Sequence, residues 1–210
     1  MSLRSKRLTW VAVLVVVAIA LDQALKLYIR THFQLGEARE VLPFFQLCFI
    51  ENDGMAFGFG PNLQWFNKIF LTLFRIVVSG GLGWYLWRIA GNAQLRTSYI
   101  ITVGLVLAGA FGNIIDCVFY GKLFGYETWF YGRVVDMLYF PLWTWPDWLP
   151  WLGGRVFFGP VFNVADSYIT CGVIALLLFF RKEMDETFRL KIDSSYLGKA
   201  SNDRLKPYDN

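Results

Sequence analysis

Two aspartates stand where an apolar chain should not want them. Asp136 lies in Val134-Val135-Asp136-Met137. Asp166 lies in Phe162-Asn163-Val164-Ala165-Asp166-Ser167, at the head of an apolar run that ends at Phe180. A carboxylate in or near hydrocarbon costs roughly 2.5–3.5 kcal/mol on insertion scales, so each is a functional-site candidate by itself. Two that meet have a specific chemistry. Like charges held about 3 Å apart cannot both ionise, so the pair shares one proton and offers a base and an acid side by side. Such a pair can activate water against a carbonyl.

Other polar residues interrupt the apolar runs. Asp22 and Lys26, in Asp22-Gln23-Ala24-Leu25-Lys26, are i, i+4 and share a helix face. A self-neutralising pair at a helix end accounts for them equally well, because lysine snorkels to the membrane interface. Asn52-Asp53-Gly54 is a turn signal. In Gly109-Ala110-Phe111-Gly112-Asn113-Ile114-Ile115-Asp116-Cys117, small residues permit close helix approach. There Asn113 and Asp116 are i, i+3, and an interhelical clamp stands level with a role in chemistry. Asn163 and Asp166 are also i, i+3.

These residues need a scaffold, and composition names its class. Of 210 residues, 56% are hydrophobic and 17% charged, and the mean hydropathy is +0.42. That is too apolar for an ordinary soluble domain and fits a multi-span membrane protein. A span needs about 20 mostly apolar residues. Four stretches qualify, at about 9–29, 68–88, 98–119 and 161–180. The expected fold is therefore a membrane all-α core of four transmembrane helices. A single domain over 1–182 and a charged tail over 183–210 follow. The alternative of a cleaved signal at Ala18-Ile19-Ala20 is disfavoured, because apolar character resumes at Ala24-Leu25 and Leu27-Tyr28-Ile29.

Charge sets the expected orientation. Arg4, Lys6 and Arg7 precede the first span, Arg88 and Arg96 flank the short second turn, and Arg181, Lys182, Arg189, Lys191, Lys199, Arg204 and Lys206 follow the fourth. The positive-inside rule makes these segments cytoplasmic. Segments 30–67 and 120–160 then face outward, and every polar cluster falls toward that face. The same asymmetry explains the net charge of +4, so no nucleic-acid partner is indicated. Three cysteines without a CxxC give no disulfide framework, and one histidine, His32, makes a usual zinc site implausible.

The outer segments have character of their own. Val41–Ile50 reads as one strand, Glu51-Asn52-Asp53-Gly54 as a turn, and Met55–Gly60 as an apolar continuation. The second segment carries Trp129, Trp143, Trp145, Trp148 and Trp151 with prolines at 141, 146, 150 and 160. It reads as an interfacial aromatic loop, partly β, beside a small outward-facing β-rich segment. From Arg181 a helical extension followed by a disordered end is expected.

Taken together, the blocks resemble lipoprotein signal peptidase, also called signal peptidase II. They are Asp22-Gln23 with Lys26; Asn52 with Gly54-Met55-Ala56-Phe57-Gly58; Gly112-Asn113 with Asp116; Val134-Val135-Asp136; and Phe162-Asn163-Val164-Ala165-Asp166. Each is weak alone, but five in order on four spans make a specific match over about residues 10–181. The resemblance implies an aspartic endopeptidase of the bacterial inner membrane, with Asp136 and Asp166 as its dyad. Asp22, Lys26, Asn52, Gly54, Asn113, Asp116 and Asn163 would support the dyad and the substrate. No cofactor or metal is implied. The expected partners are a diacylglyceryl-modified prolipoprotein, cut just before its lipidated cysteine, and membrane lipid, and one chain would suffice.

This chain departs from the family pattern in two places. The family usually has arginine after the aspartate of the third block, where this chain has Cys117, and the stretches from Asp116 to Asp136 and on to Asp166 are longer. Arg75, within the second span, is a candidate replacement cation; a structural pair with a carboxylate such as Asp116 is the alternative. A small transporter or proton relay would use the same acidic residues, but would predict inverted repeats or broken central helices. A non-catalytic lipid-binding protein would tolerate loss of both aspartates.

Overall fold

The computed structural model describes residues 1–54 and 64–187, with side chains of 64–67 left out. The expected continuation over Met55–Gly60 and the end of the tail lie outside the described residues. Helix α1 spans Leu3–His32, opened by Ser2, whose side chain accepts from the Ser5 N–H. Helix α2 spans Gln64–Ile89. Helix α3 spans Thr97–Ile115 and runs on through a π-turn, Asp116–Tyr120, and a last turn, Gly121–Leu123. Helix α4 spans Val164–Phe179.

Among the described residues three helices, Leu3–His32, Lys68–Ile89 and Thr97–Leu123, are long and apolar enough to cross a membrane. The fourth qualifies together with Arg181–Thr187, which leaves it at an 84° bend. The bend falls where the apolar run gives way to Arg181 and Lys182, as expected of a chain leaving hydrocarbon. The surface agrees: Val13, Val16 and Leu21 on α1, Phe74 and Val77 on α2, and Leu177 and Leu178 on α4 are exposed. Apolar faces turned outward suit lipid, while the helices satisfy their own backbone groups.

Helix α3 is the axis, packed on α1, α2 and α4. Its glycines set the spacing. A Cβ at Gly109 would stand 2.3 Å from the Ala165 carbonyl oxygen, and one at Gly112 2.7 Å from Asp22 Oδ2. No larger residue permits this approach, so the glycines bring α4 and the polar face of α1 against α3.

At the end where α1 starts and α4 stops, Val11, Leu86, Ile89, Leu95, Tyr99, Val103 and Phe180 form one core. Arg7 is buried beside it and donates to the carbonyls of Asn92 (2.7 Å) and Leu95 (2.6 Å) and to Thr97 Oγ1 (3.2 Å). One guanidinium thus holds the whole α2–α3 turn. Arg7→Met is expected to lower stability by about 1.5–3 kcal/mol, the usual value of hydrogen bonds to a charged group. Thermal unfolding in detergent checks this, and an unchanged midpoint would contradict it.

At the opposite end sits a three-stranded antiparallel sheet in the order β1-β2-β3: Ala38–Leu42, Phe45–Asn52 and Val134–Tyr139. The single strand expected over Val41–Ile50 is two strands of a hairpin. Pro43 and Phe44 form its turn, because proline lacks the N–H that a continuous ladder needs. The sheet covers a second core of Ile29, Phe33, Phe49, Tyr120, Val135 and Met137. Beyond β3, the bridge Leu138↔Phe162 closes the base of a smaller hairpin, β4 (Trp143–Thr144) with β5 (Val156–Phe157). The aromatic segment, expected as an interfacial loop that is partly β, carries this hairpin.

Candidate active site

Strand pairing delivers the first aspartate. Antiparallel register sets Ile50 opposite Asp136 and Asn52 opposite Val134. The Asn52 side chain then donates from Nδ2 to Asp136 Oδ2 at 2.9 Å. Its own Oδ1 accepts the Gly54 N–H at 2.8 Å, a turn that glycine takes with φ +73°. Salt bridges fix this strand end: Glu51 pairs with Arg30 and Arg133, and Asp53 with Lys68 and Arg133.

A helix start delivers the second. Asn163 caps α4: its Oδ1 accepts the Asp166 N–H at 2.8 Å, and its own N–H reaches Asp166 Oδ2 at 3.4 Å. The same Asn163 donates from Nδ2 to Asp136 Oδ1 at 2.7 Å. One asparagine therefore holds both carboxylates, one through its side chain and one through its backbone. Asn113 donates from Nδ2 to Asp166 Oδ1 at 2.8 Å. Asp136 is 2% exposed. Burial pushes its carboxyl up to about 6; the hydrogen bonds from Asn52 and Asn163 oppose this, and the nearby charge of Asp166 adds to it.

Next to the pair lies an ionic cluster. Lys26, fully buried, meets Asp116 Oδ2 at 2.7 Å and Asp22 Oδ2 at 2.9 Å, and donates to Asn113 Oδ1 at 3.0 Å. Asn113 Oδ1 also accepts from Asn163 Nδ2 at 3.1 Å, so its amide must turn its NH₂ toward Asp166. The two carboxylates reach onward. Asp116 Oδ2 accepts the Val135 N–H at 3.2 Å, and Asp22 Oδ1 accepts the Ala165 N–H at 2.9 Å. Val135 and Ala165 immediately precede Asp136 and Asp166. The cluster thus grips the backbone beside each aspartate.

The structure therefore brings Asp22, Lys26, Asn52, Asn113, Asp116, Asp136, Asn163 and Asp166 into one network. Arg75 and Gly54 lie beside it. Arg75 Nη1 donates to Cys117 Sγ at 2.9 Å, and a Cβ at Gly54 would stand 2.7 Å from Arg75 Nη2. Among the described residues no carboxylate pairs with Arg75, and Asp116 is held by Lys26.

Three contributors were not singled out from sequence. Gln23 Nε2 bridges Asp22 Oδ2, Asp116 Oδ1 and the Gly112 carbonyl, and Tyr120 donates to Gln23 Oε1 at 3.1 Å. Gln23 had a signal, as an amide inside the Asp22–Lys26 block; Tyr120 had none, being one aromatic among many. Gly132 is the third: its N–H bonds the Cys117 carbonyl at 2.8 Å, and a Cβ there would stand 1.9 Å from the Asp116 carbonyl oxygen. That approach leads the chain from the π-turn into β3.

Apolar spans with two carboxylates brought to one shared asparagine are the arrangement expected of an aspartic peptidase of the membrane. Comparison with known proteins gives the family. A family model described as signal peptidase (SPase) II matches residues 14–181. The chain is 43% identical to a lipoprotein signal peptidase of Porphyromonas gingivalis over 81% of this chain and 82% of that one. It is 36% identical to a lipoprotein signal peptidase of Amoebophilus asiaticus, over 80% and 76%. In fold it is similar to a solved bacterial membrane enzyme, with TM-score 0.58 and 24% identity over 83% of this chain and 94% of that one. The protein belongs to the signal peptidase II family.

Proposed function

We propose that this peptidase removes the signal peptide of diacylglyceryl-modified prolipoproteins, cutting just before the lipidated cysteine, with Asp136 and Asp166 as its catalytic pair. The observation that carries the assignment is Asn163, hydrogen-bonded to both carboxylates at once. In the proposed reaction the ionised carboxylate takes a proton from water, and the oxygen so activated attacks the scissile carbonyl. The protonated carboxyl donates to the carbonyl oxygen as it becomes tetrahedral. The C–N bond then breaks, the oxygen returns its proton, and the proton taken from water passes to the leaving amine. Asn52, Asn113 and Asn163 orient the pair; Asp22, Lys26 and Asp116 fix the backbone on which it stands. Relatives named lipoprotein signal peptidase support the substrate class. The basic flanks support a bacterial inner-membrane topology with both termini cytoplasmic, the site toward the periplasm, and residues 183–210 as a cytoplasmic tail. Membrane lipid surrounds the spans, and a monomer suffices because one chain carries both aspartates.

The decisive comparison is a prolipoprotein with its cysteine lipidated against the same precursor unmodified. Only the lipidated form is expected to be cut. Equal cleavage of both would overturn the substrate assignment.

Asp136 also sets a pH limit. Its proton is lost as pH rises past about 6, and with it the acid for the carbonyl oxygen. We expect kcat/KM to fall as pH rises on that side, about tenfold per unit well above the inflection. A profile flat from pH 6 to 9 would contradict the shared proton.

Arg75 is proposed as the cation that serves where the family has arginine and this chain has Cys117. Arg75→Gln is then expected to raise KM several-fold while leaving the thermal midpoint near that of the parent. Intact cleavage with a lowered midpoint would make its role structural.

A further inference from the structure

The β4–β5 hairpin supplies none of the residues of the polar network around Asp136 and Asp166. It springs from the chain between the two aspartates and is closed at its base by Met137, Leu138 and Phe162. The Met137 and Leu138 N–H groups bond the Phe162 carbonyl at 3.0 and 2.7 Å, and the Phe162 N–H returns to the Leu138 carbonyl at 3.1 Å. Trp143 and Phe157 stack across it with ring centres 3.9 Å apart. Phe45, Phe140 and Phe162 stack in series at 4.8 and 5.8 Å, so hairpin, sheet and the start of α4 form one piece.

The tip is built against the habits of a water-exposed loop. Backbone bonds hold its fold: N–H groups of Leu149, Gly153, Gly154 and Arg155 bond the carbonyls of Pro146, Leu149, Trp145 and Leu152. Its apolar side chains turn outward. Trp148 is 79% and Trp151 92% exposed, with Leu152 beside them. Trp151 holds a left-handed φ of 69°, a conformation that a bulky residue rarely adopts. Indoles turned outward from a tip whose fold is held by its own backbone bonds suit a neighbour that is partly apolar and still wet. Indole favours the boundary between headgroups and acyl chains, where its ring is buried and its N–H stays wet. The charges fit that depth and no greater one. Asp147 and Arg155, both exposed, are acceptable among headgroups and too costly in hydrocarbon. Continuity fixes the side: α4, whose outer face is apolar, begins two residues after Phe162.

We propose that this hairpin is an interfacial anchor that seats Trp148 and Trp151 in the headgroup layer of the bilayer on the sheet side. Because β3 and α4 carry Asp136 and Asp166, the anchor also sets the depth of the pair. This second part rests on the catalytic reading of the aspartates; the anchoring does not.

The test uses the full chain in nanodiscs of phosphatidylethanolamine and phosphatidylglycerol. Cys48 and Cys117 are buried and Cys171 is exposed, so Cys171→Ala gives a background for labelling. An environment-sensitive fluorophore is placed at Trp151→Cys, at Trp148→Cys as a second position, and at Glu40→Cys on exposed β1. The expected result is blue-shifted emission at 151 and 148, quenched several-fold more by lipids spin-labelled at the headgroup than by aqueous iodide, with the reverse at 40. Iodide quenching at 151 and 148 equal to that at 40 would overturn the anchor. So would shielding that arises only when lipidated precursor is added, which would make the hairpin a substrate clamp. Neither outcome reads cleavage, so the result stands apart from the peptidase assignment.

Discussion

Replacing either Asp136 or Asp166 by asparagine is expected to reduce cleavage of a lipidated precursor by at least the 10²–10⁴-fold typical of losing a general acid or base, while the protein still inserts and folds. Asparagine keeps the volume but can neither take a proton from water nor give one to a carbonyl. Folding should survive for an identifiable reason. Asp136 accepts from Asn52 and Asn163, and asparagine retains one acceptor oxygen for one of them. The other contact is lost, but so is the cost of a buried carboxylate whose proton affinity is raised to about 6. These effects oppose each other, so the thermal midpoint should stay near that of the parent. Cleavage by either variant at a rate near the parent's would remove the pair from the mechanism.

Replacing Lys26 is expected to have the largest effect on stability. Lys26→Met leaves Asp22 and Asp116 buried, without the ammonium that now lies 2.9 and 2.7 Å from them. Breaking a buried pair by removing one partner costs about 3–5 kcal/mol. Activity should fall with it, because those carboxylates hold the N–H groups of Val135 and Ala165, next to Asp136 and Asp166. The triple variant Asp22→Asn, Lys26→Met, Asp116→Asn should recover part of the lost stability, since it removes the uncompensated charges together. A triple variant less stable than Lys26→Met alone would show that the cluster does not act as one unit.

Much of this was legible because a membrane makes polar residues conspicuous. Asp22, Lys26, Asn113, Asp116 and Asn163 stand out against apolar neighbours, and their i, i+3 and i, i+4 spacings put each pair on one helix face. The four helices followed from runs of apolar residues, and the fourth needed only a bend where charge begins. What sequence leaves open is pairing across distance. Nothing local says that Asn163 reaches Asp136 as well as capping its own helix, or that Lys26 rather than Arg75 neutralises Asp116. The strand expected over Val41–Ile50 breaks at Pro43, which cannot donate to a ladder; in the sequence that one signal is outweighed by the apolar and aromatic residues on either side. The bridge Leu138↔Phe162, which makes a hairpin of the tryptophan-rich segment, depends on register set elsewhere.

One carboxylate pair, held by Asn163, is proposed to hydrolyse a lipoprotein precursor at a defined bond. Intact mass spectrometry of purified protein incubated with a diacylglyceryl-modified precursor tests it most directly. The expected product begins with the lipidated cysteine and appears together with the released signal peptide, and neither forms in a parallel reaction with Asp136→Asn. A product cut at another bond, or the same product formed by Asp136→Asn, would contradict it.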